Sequence, residues 1–157
     1  MAETPRAVSA DSQSLVGSTL VTGVAGDDIH VMGIRLVEHA LRSAGAKVVS
    51  LGVMTPVSEF VEAAVETAAD AVVLSSSNGH AALSCDGIRE SFIEAGIGDT
   101  LLYIGGNLKV GRALSHEEVE RQFKIFGFDR VFEPNADLTT AIALIAEDLH
   151  ERRKQAT

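Results

Sequence analysis

An open α/β domain, its parallel sheet covered by helices on both faces, is the fold class this sequence predicts. Three observations lead there. Five short runs rich in Val, Leu and Ile recur along the 157 residues, and each is followed by a stretch whose apolar residues have helical spacing. The runs are too uniformly apolar to have one wet face, as expected of strands buried on both sides. Their connections are short, and strict alternation of strand and helix with short connections gives parallel pairing.

The expected strands are Leu20–Val24, Lys47–Leu51, Ala71–Leu74, Leu101–Ile104 and Arg130–Phe132. The first helix should run from about Met32 to Ala44, with Gly33, Val37, Ala40, Leu41 and Ala44 on one face and Gly45 as its stop. Glu38 and Arg42, one turn apart, read as an exposed ion pair, with His39 solvated beside them. Thr55-Pro56 reads as an N-cap followed by proline at the first position of the second helix. Val57, Phe60, Val61, Ala64, Val65 and Ala68 form its inward stripe. A third helix covers roughly Gly87 to Ala95. The fourth opens on the capping box Ser115-His116-Glu117-Glu118, which puts His116 at the surface, and closes at Gly127. The fifth runs from Leu138 to Leu149, with His150 at its frayed end. Right-handed crossovers then favour a flavodoxin-like (Rossmann-like), doubly wound sheet in the order 2-1-3-4-5.

Hydrophobic residues make up 46% and charged residues 22% of the chain, the balance of a soluble globular domain. A net charge of −9 argues against nucleic acid or an anionic membrane as partner. No apolar run approaches the roughly 20 residues of a membrane span. Residues 1–17 are polar and lack the apolar centre of a secretory signal, so they read as a disordered extension. Residues 151–157 read as a flexible tail, which leaves 18–150 as the domain. Cys85 is the sole cysteine. That excludes a disulfide framework, fits a reducing cytoplasm, and suits a packed thiol better than a catalytic one.

In such a sheet the loops after strands one, three and four converge on one edge, where open α/β sheets bind ligands. Here they read Gly26-Asp27-Asp28-Ile29-His30-Val31-Met32-Gly33, then Ser75-Ser76-Ser77-Asn78-Gly79, then Gly105-Gly106-Asn107. Gly, Ser and Asn are ordinary turn residues, and any one of these loops alone is equally well a tight turn. Three together, two of them built of small residues, leave a slot that needs a bulky ligand. His30 sits at the strand edge with Asp28 two residues away, an acid able to hold one ring nitrogen while the other faces a metal. No second histidine, cysteine or acid has zinc spacing. A metal on His30 would therefore take its remaining ligands from a macrocycle. Nucleotide readings fit poorly, because Gly23-x-x-Gly26 is not the dinucleotide fingerprint and no Walker lysine follows. A response-regulator receiver would want an aspartate where Ser75-Ser76 stand and a lysine where Glu133-Pro134 stand.

Asp28-x-His30-x-x-Gly33, Ser75-x-Ser77 and Gly105-Gly106, in that order on those loops, resemble the cobalamin-binding signature Asp-x-His-x-x-Gly, Ser-x-Leu, Gly-Gly. With Gly105 to Gly111 and Gly127-Phe128-Asp129-Arg130-Val131, the stretch from Thr19 to Leu149 is similar to the small (sigma) subunits of glutamate mutase, also called methylaspartate mutase. One departure is Ser77 where the signature has leucine, followed by Asn78. The resemblance implies adenosylcobalamin bound with its dimethylbenzimidazole tail detached from cobalt. It implies His30 as the axial cobalt ligand and Asp28 on the far side of its ring. Ser75, Ser76, Ser77, Gly79, Gly105 and Gly106 would line the tail, with the Ser75 hydroxyl meeting the tail base. Asp27, Ile29, Val31, Gly33, Asn107, Leu108, Lys109, Val110 and Gly111 would contact the corrin or the nucleotide.

It further implies a radical interconversion of L-glutamate and threo-3-methylaspartate. This chain would be an isomerase subunit without catalytic groups on the substrate, paired with a large (epsilon) catalytic subunit as two small plus two large chains. The scattered arginines, unsuited to gripping a dicarboxylate, agree with a substrate site elsewhere. Two other readings stay open. One is a corrinoid carrier or methyltransferase module, which would want a helical domain ahead of residue 18. The other is a cobalamin sensor, which would want an output region.

Overall fold

Thr19–Val24 (β1), Lys47–Ser50 (β2), Ala71–Ser76 (β3), Leu101–Gly106 (β4) and Arg130–Val131 (β5) form one parallel sheet in the order β2-β1-β3-β4-β5, as the crossover argument requires. The computed structural model describes residues 13–26, 32–76, 81–108 and 115–156. Its helices are Met32–Ser43 (α1), Val57–Thr67 (α2), Ala81–Cys85 (α3), Ile88–Glu94 (α4), His116–Phe126 (α5) and Leu138–Gln155 (α6).

Strand side chains alternate between two cores, so β3 feeds both. Val72 and Leu74 join Val21, Phe60, Phe92, Leu102 and Phe123 beneath α2, α4 and α5. Ala71 and Val73 join Leu20, Leu41, Tyr103, Ile145 and Leu149 beneath α1 and α6. All six β3 residues are buried, which is why the run carries no polar alternation. Arg89 of α4 fastens the strand starts on one side. Its guanidinium donates to the carbonyls of Gly98, Thr100 and Gly127 and to Asp129, whose carboxylate also accepts from the Leu102 N–H.

Several expectations need correction. Glu38 is not exposed: it is 6% accessible and accepts hydrogen bonds from the hydroxyls of Thr22 and Ser50, while Arg42 stands 3.9 Å off. Thr55 does not cap α2. Pro56 holds the cap position, and the buried Thr55 continues the sheet edge, its N–H donating to Val24 and its carbonyl accepting from Gly26. Val65 is half exposed and Ala68 lies past the helix end in a left-handed conformation, so neither extends the inward stripe. The short α3 has no counterpart in the sequence reading. The capping of α5 is as expected, with Ser115 Oγ accepting from the Glu118 N–H. His116 is only partly exposed, between Glu120 at 3.4 Å and Glu133 at 3.5 Å.

Both terminal boundaries also shift. Leu15 is fully buried, so residues 13–17 belong to the domain; residues 1–12 lie outside the described set. The tail reading of 151–157 fails as far as Gln155, because α6 continues through His150 and Arg153 of that last stretch bonds Ser18 Oγ. Cys85 is buried, and burial pushes its thiol up to about 12, which suits packing and not nucleophilic attack. No helix among the described residues is long and apolar enough to cross a membrane.

The outer helix α6 is pinned by Asp148. Its carboxylate takes two bonds from Arg130, at 2.7 and 2.9 Å, and one from the buried Tyr103 hydroxyl at 2.8 Å. Burial alone would raise its pKa, but the Arg130 and Tyr103 hydrogen bonds outweigh burial and hold the carboxyl below the usual aspartate range. A carboxyl depressed on folding stabilises the protein above its unfolded pKa, about 3.9, and loses that contribution as pH falls through the lower folded value. Asp148→Asn should therefore destabilise the domain at neutral pH and flatten the acid limb of its stability curve. Urea melts between pH 7 and pH 2.5 check this; parallel pH curves for variant and parent would refute it.

Candidate functional site

β1, β3 and β4 end level with one another. Val24 is in register with Ser75, Ser75 with Gly105, and Ser76 with Gly106. The chain therefore leaves all three strands from neighbouring rungs of the same edge. The end of β1 is fixed from both sides, as Ala25 N donates to Ser75 O at 3.0 Å and Gly26 N to Thr55 O at 2.9 Å.

A cleft of about 310 Å³ opens at this edge, on the α1/α6 side of β3 and β4. That is at the small end of the range for ligand pockets. One wall is the first half of α1, with Gly33, Ile34 and Val37. The other is α6, with Leu138, Ala141 and Ile142. Val73, Ser75 and Gly105 form the floor, and Phe132, Glu133 and Pro134 the rim. Missing side chains make the space. Among the described residues, a β-carbon on Gly33 would meet nothing nearer than Ser75 Oγ at 3.8 Å. One on Gly105 would touch Phe132 Cβ at 3.4 Å. Gly106 has φ +102°, and a β-carbon there would run into the carbonyl oxygen of Ser76.

Gly33, Ser75, Gly105 and Gly106, expected at the site from sequence, are thus brought together around one cleft. Ser76 also reaches the strand end but is 1% accessible and does not line it. Asn107 is exposed at the edge. Leu108 is buried in the opposite core, so its side chain does not face the cleft. Asp27, Asp28, Ile29, His30, Val31, Ser77, Gly79, Lys109, Val110 and Gly111 lie outside the described residues. The α6 wall and the Phe132–Pro134 rim were missed as site residues. Leu138, Ala141, Ile142 and Ile145 give the signal of an ordinary core stripe, and only the sheet order shows that α6 lies opposite α1.

Among the described residues the lining is apolar apart from the Ser75 hydroxyl and Glu133 at the mouth. A mostly apolar group with one polar atom near Ser75 Oγ would suit this lining. Among the described lining residues there is no acid–base pair. Among the described residues no group of His, Cys, Asp and Glu could hold a metal ion by itself.

Comparison with known proteins narrows the ligand. Residues 18–143 match the B12 binding domain family. The chain is 53% identical over 130 residues to the glutamate mutase sigma subunit of Carboxydothermus hydrogenoformans, covering 83% of this chain and 94% of that one. It is 46% identical over 135 residues to the glutamate mutase sigma subunit of Escherichia coli O157:H7, covering 86% and 90%. A cobalamin-binding protein from Desulfitobacterium hafniense superposes with a TM-score of 0.67 at 20% identity, over 83% of this chain and 58% of that structure, which is a likeness of fold.

Proposed function

Because the chain belongs to the B12 binding domain family and, within it, to the glutamate mutase sigma subunits, we propose that it is the cobalamin-binding small subunit of a glutamate mutase. The observation that carries the reading is the cleft itself: the glycines and serine of the three motif loops border one apolar slot at the sheet's ligand edge. The cofactor is read as adenosylcobalamin, which when bound supplies the radical chemistry for interconverting L-glutamate and threo-3-methylaspartate.

The chain's own residues bind and orient. His30 would hold the cobalt, and Asp28 would orient its ring. The detached tail would enter the slot between α1 and α6, with its base against Ser75 Oγ. The tail base, a planar aromatic with few polar atoms, matches a slot lined by Val, Ile and Ala with one hydroxyl. Ser77, Gly79, Asp27, Ile29, Val31 and the Asn107–Gly111 segment complete the assignment as contacts to the tail and corrin. In this reading the binding domain is 18–150 together with the packed flanks 13–17 and 151–155, and the protein is cytoplasmic. Substrate binding falls to a large (epsilon) catalytic subunit, two of each chain forming the complex.

The deciding experiment is an absorption spectrum with adenosylcobalamin, of parent and His30→Ala, alone and with the large subunit of a related mutase. A base-off, histidine-ligated spectrum in the parent that disappears in the variant is expected. An unperturbed cofactor spectrum in both settings would sink the assignment.

A further inference from the structure

We infer that Glu38 is a positioning residue, a carboxylate that ties α1 to β1 and β2 and so sets the span of the loop that carries His30. The inference rests on the cobalamin reading for its consequence, but not for its geometry.

Glu38 Oε1 accepts from Thr22 Oγ1 and from Ser50 Oγ, both at 2.7 Å. Thr22 and Ser50 face each other across the β1–β2 pairing, so one oxygen of one helix is bonded to two adjacent strands at the same rung. Among the described residues the other oxygen has the half-exposed Arg42 at 3.9 Å. Residues 27–31 connect β1 to α1. Glu38 lies six residues into α1 from Met32, about 9 Å along the axis. Thr22 lies two residues before the end of β1, roughly 7 Å. The tie therefore sits close to both ends of the connection.

A buried carboxylate is a poor choice if the aim is only to hold the helix down. Desolvating it is costly unless its hydrogen bonds are complete, and an apolar trio of the same shape is often as stable. Apolar contacts are non-directional, however, and Ile34, Val37 and Leu41 leave α1 free to slide or roll by small amounts. Two short hydrogen bonds do not. The end of β1 is already bonded to Ser75 and Thr55, so the α1 end is the one that needs a directional constraint. Error at that end would displace the axial histidine and alter the width of the slot beside Gly33.

The test is a triple variant, Thr22→Val, Glu38→Leu, Ser50→Ala, which removes the polar tie and keeps the packing, beside Glu38→Gln, which keeps an oxygen able to accept both bonds. Cofactor-free amide exchange and adenosylcobalamin titration are read on each, with circular dichroism to confirm folding. The triple variant should exchange the α1 amides at least severalfold faster with β3 and β4 unchanged. It should bind cobalamin about tenfold more weakly, with a smaller histidine-ligated fraction. Glu38→Gln should restore both. If the triple variant unfolds, Thr22→Val alone is read the same way for a smaller effect. Parent-like α1 exchange together with a parent-like spectrum would overturn the inference. A parent that never binds cobalamin would instead count against the proposed function, while the exchange comparison would still decide the role of Glu38.

Discussion

Leucine in place of Gly33 is expected to make the protein more stable and to remove cobalamin binding. The two effects have separate causes. Gly33 is the second residue of α1, exposed, and free of steric conflict at its β position. Glycine in a helix costs roughly 0.5–1 kcal/mol relative to alanine, somewhat less near an end, so most replacements raise stability. The open space beside Gly33 is, however, the entrance to the slot. A leucine side chain starting 3.8 Å from Ser75 Oγ would fill the place assigned to the tail base. Overpacking costs about 1–3 kcal/mol even where neighbours can adjust, equivalent to roughly 5–150-fold in affinity, and a filled slot should cost more. Gly33→Ala should fall between, gaining stability with a modest loss of affinity. Thermal melts and cofactor titrations across the glycine, alanine and leucine series check the split. Full binding by a folded leucine variant would mean that the cleft does not take the tail.

Gly106→Ala should have the largest effect on stability. At φ +102° an L side chain is strained, at a cost on the order of 1–2 kcal/mol. The added β-carbon would also strike the Ser76 carbonyl, which belongs to the backbone of β3 and has no rotamer to change. The strands would have to part at the rung where Ser76 is in register with Gly106. The two terms together come to about 2–5 kcal/mol, or very roughly 5–15 °C in a domain of this size. Gly52→Ala is the control. Its φ is +81° but nothing lies within 4 Å of the new atom, so only the backbone term applies. Equal melting temperatures for the two variants would mean that strand contact at Gly106 is unimportant.

The contrast between these two glycines bears on what the sequence made legible. The sheet was readable because burial on both faces demands unbroken apolar runs, and Leu101–Ile104 and Ala71–Leu74 are such runs. The motif loops were readable because small residues at strand ends are chemically distinctive. Glu38 was misread because a Glu–Arg spacing of one turn is the same on a wet face as on a face against the sheet. Only Thr22 and Ser50, distant in sequence, show which face it is. The α6 wall was illegible as a site for a related reason. An apolar stripe that borders a cleft has the same periodicity as one that borders a core. Thr55-Pro56 has the composition of a helix cap, yet pairing of the Thr55 backbone with Val24 and Gly26 recruits it to the sheet edge instead.

The position of α6 in the chain gives the cleft a history. A ribosome finishes the strands that bear the glycine and serine loops well before it makes the second wall, since Ala141, Ile142 and Ile145 follow every strand. A nascent chain stopped after β5 lacks the α6 wall and has only the α1 side of the cleft. The second wall of the cleft is thus the last part of the domain to be made, a single helix fastened through Asp148 to Tyr103 and Arg130.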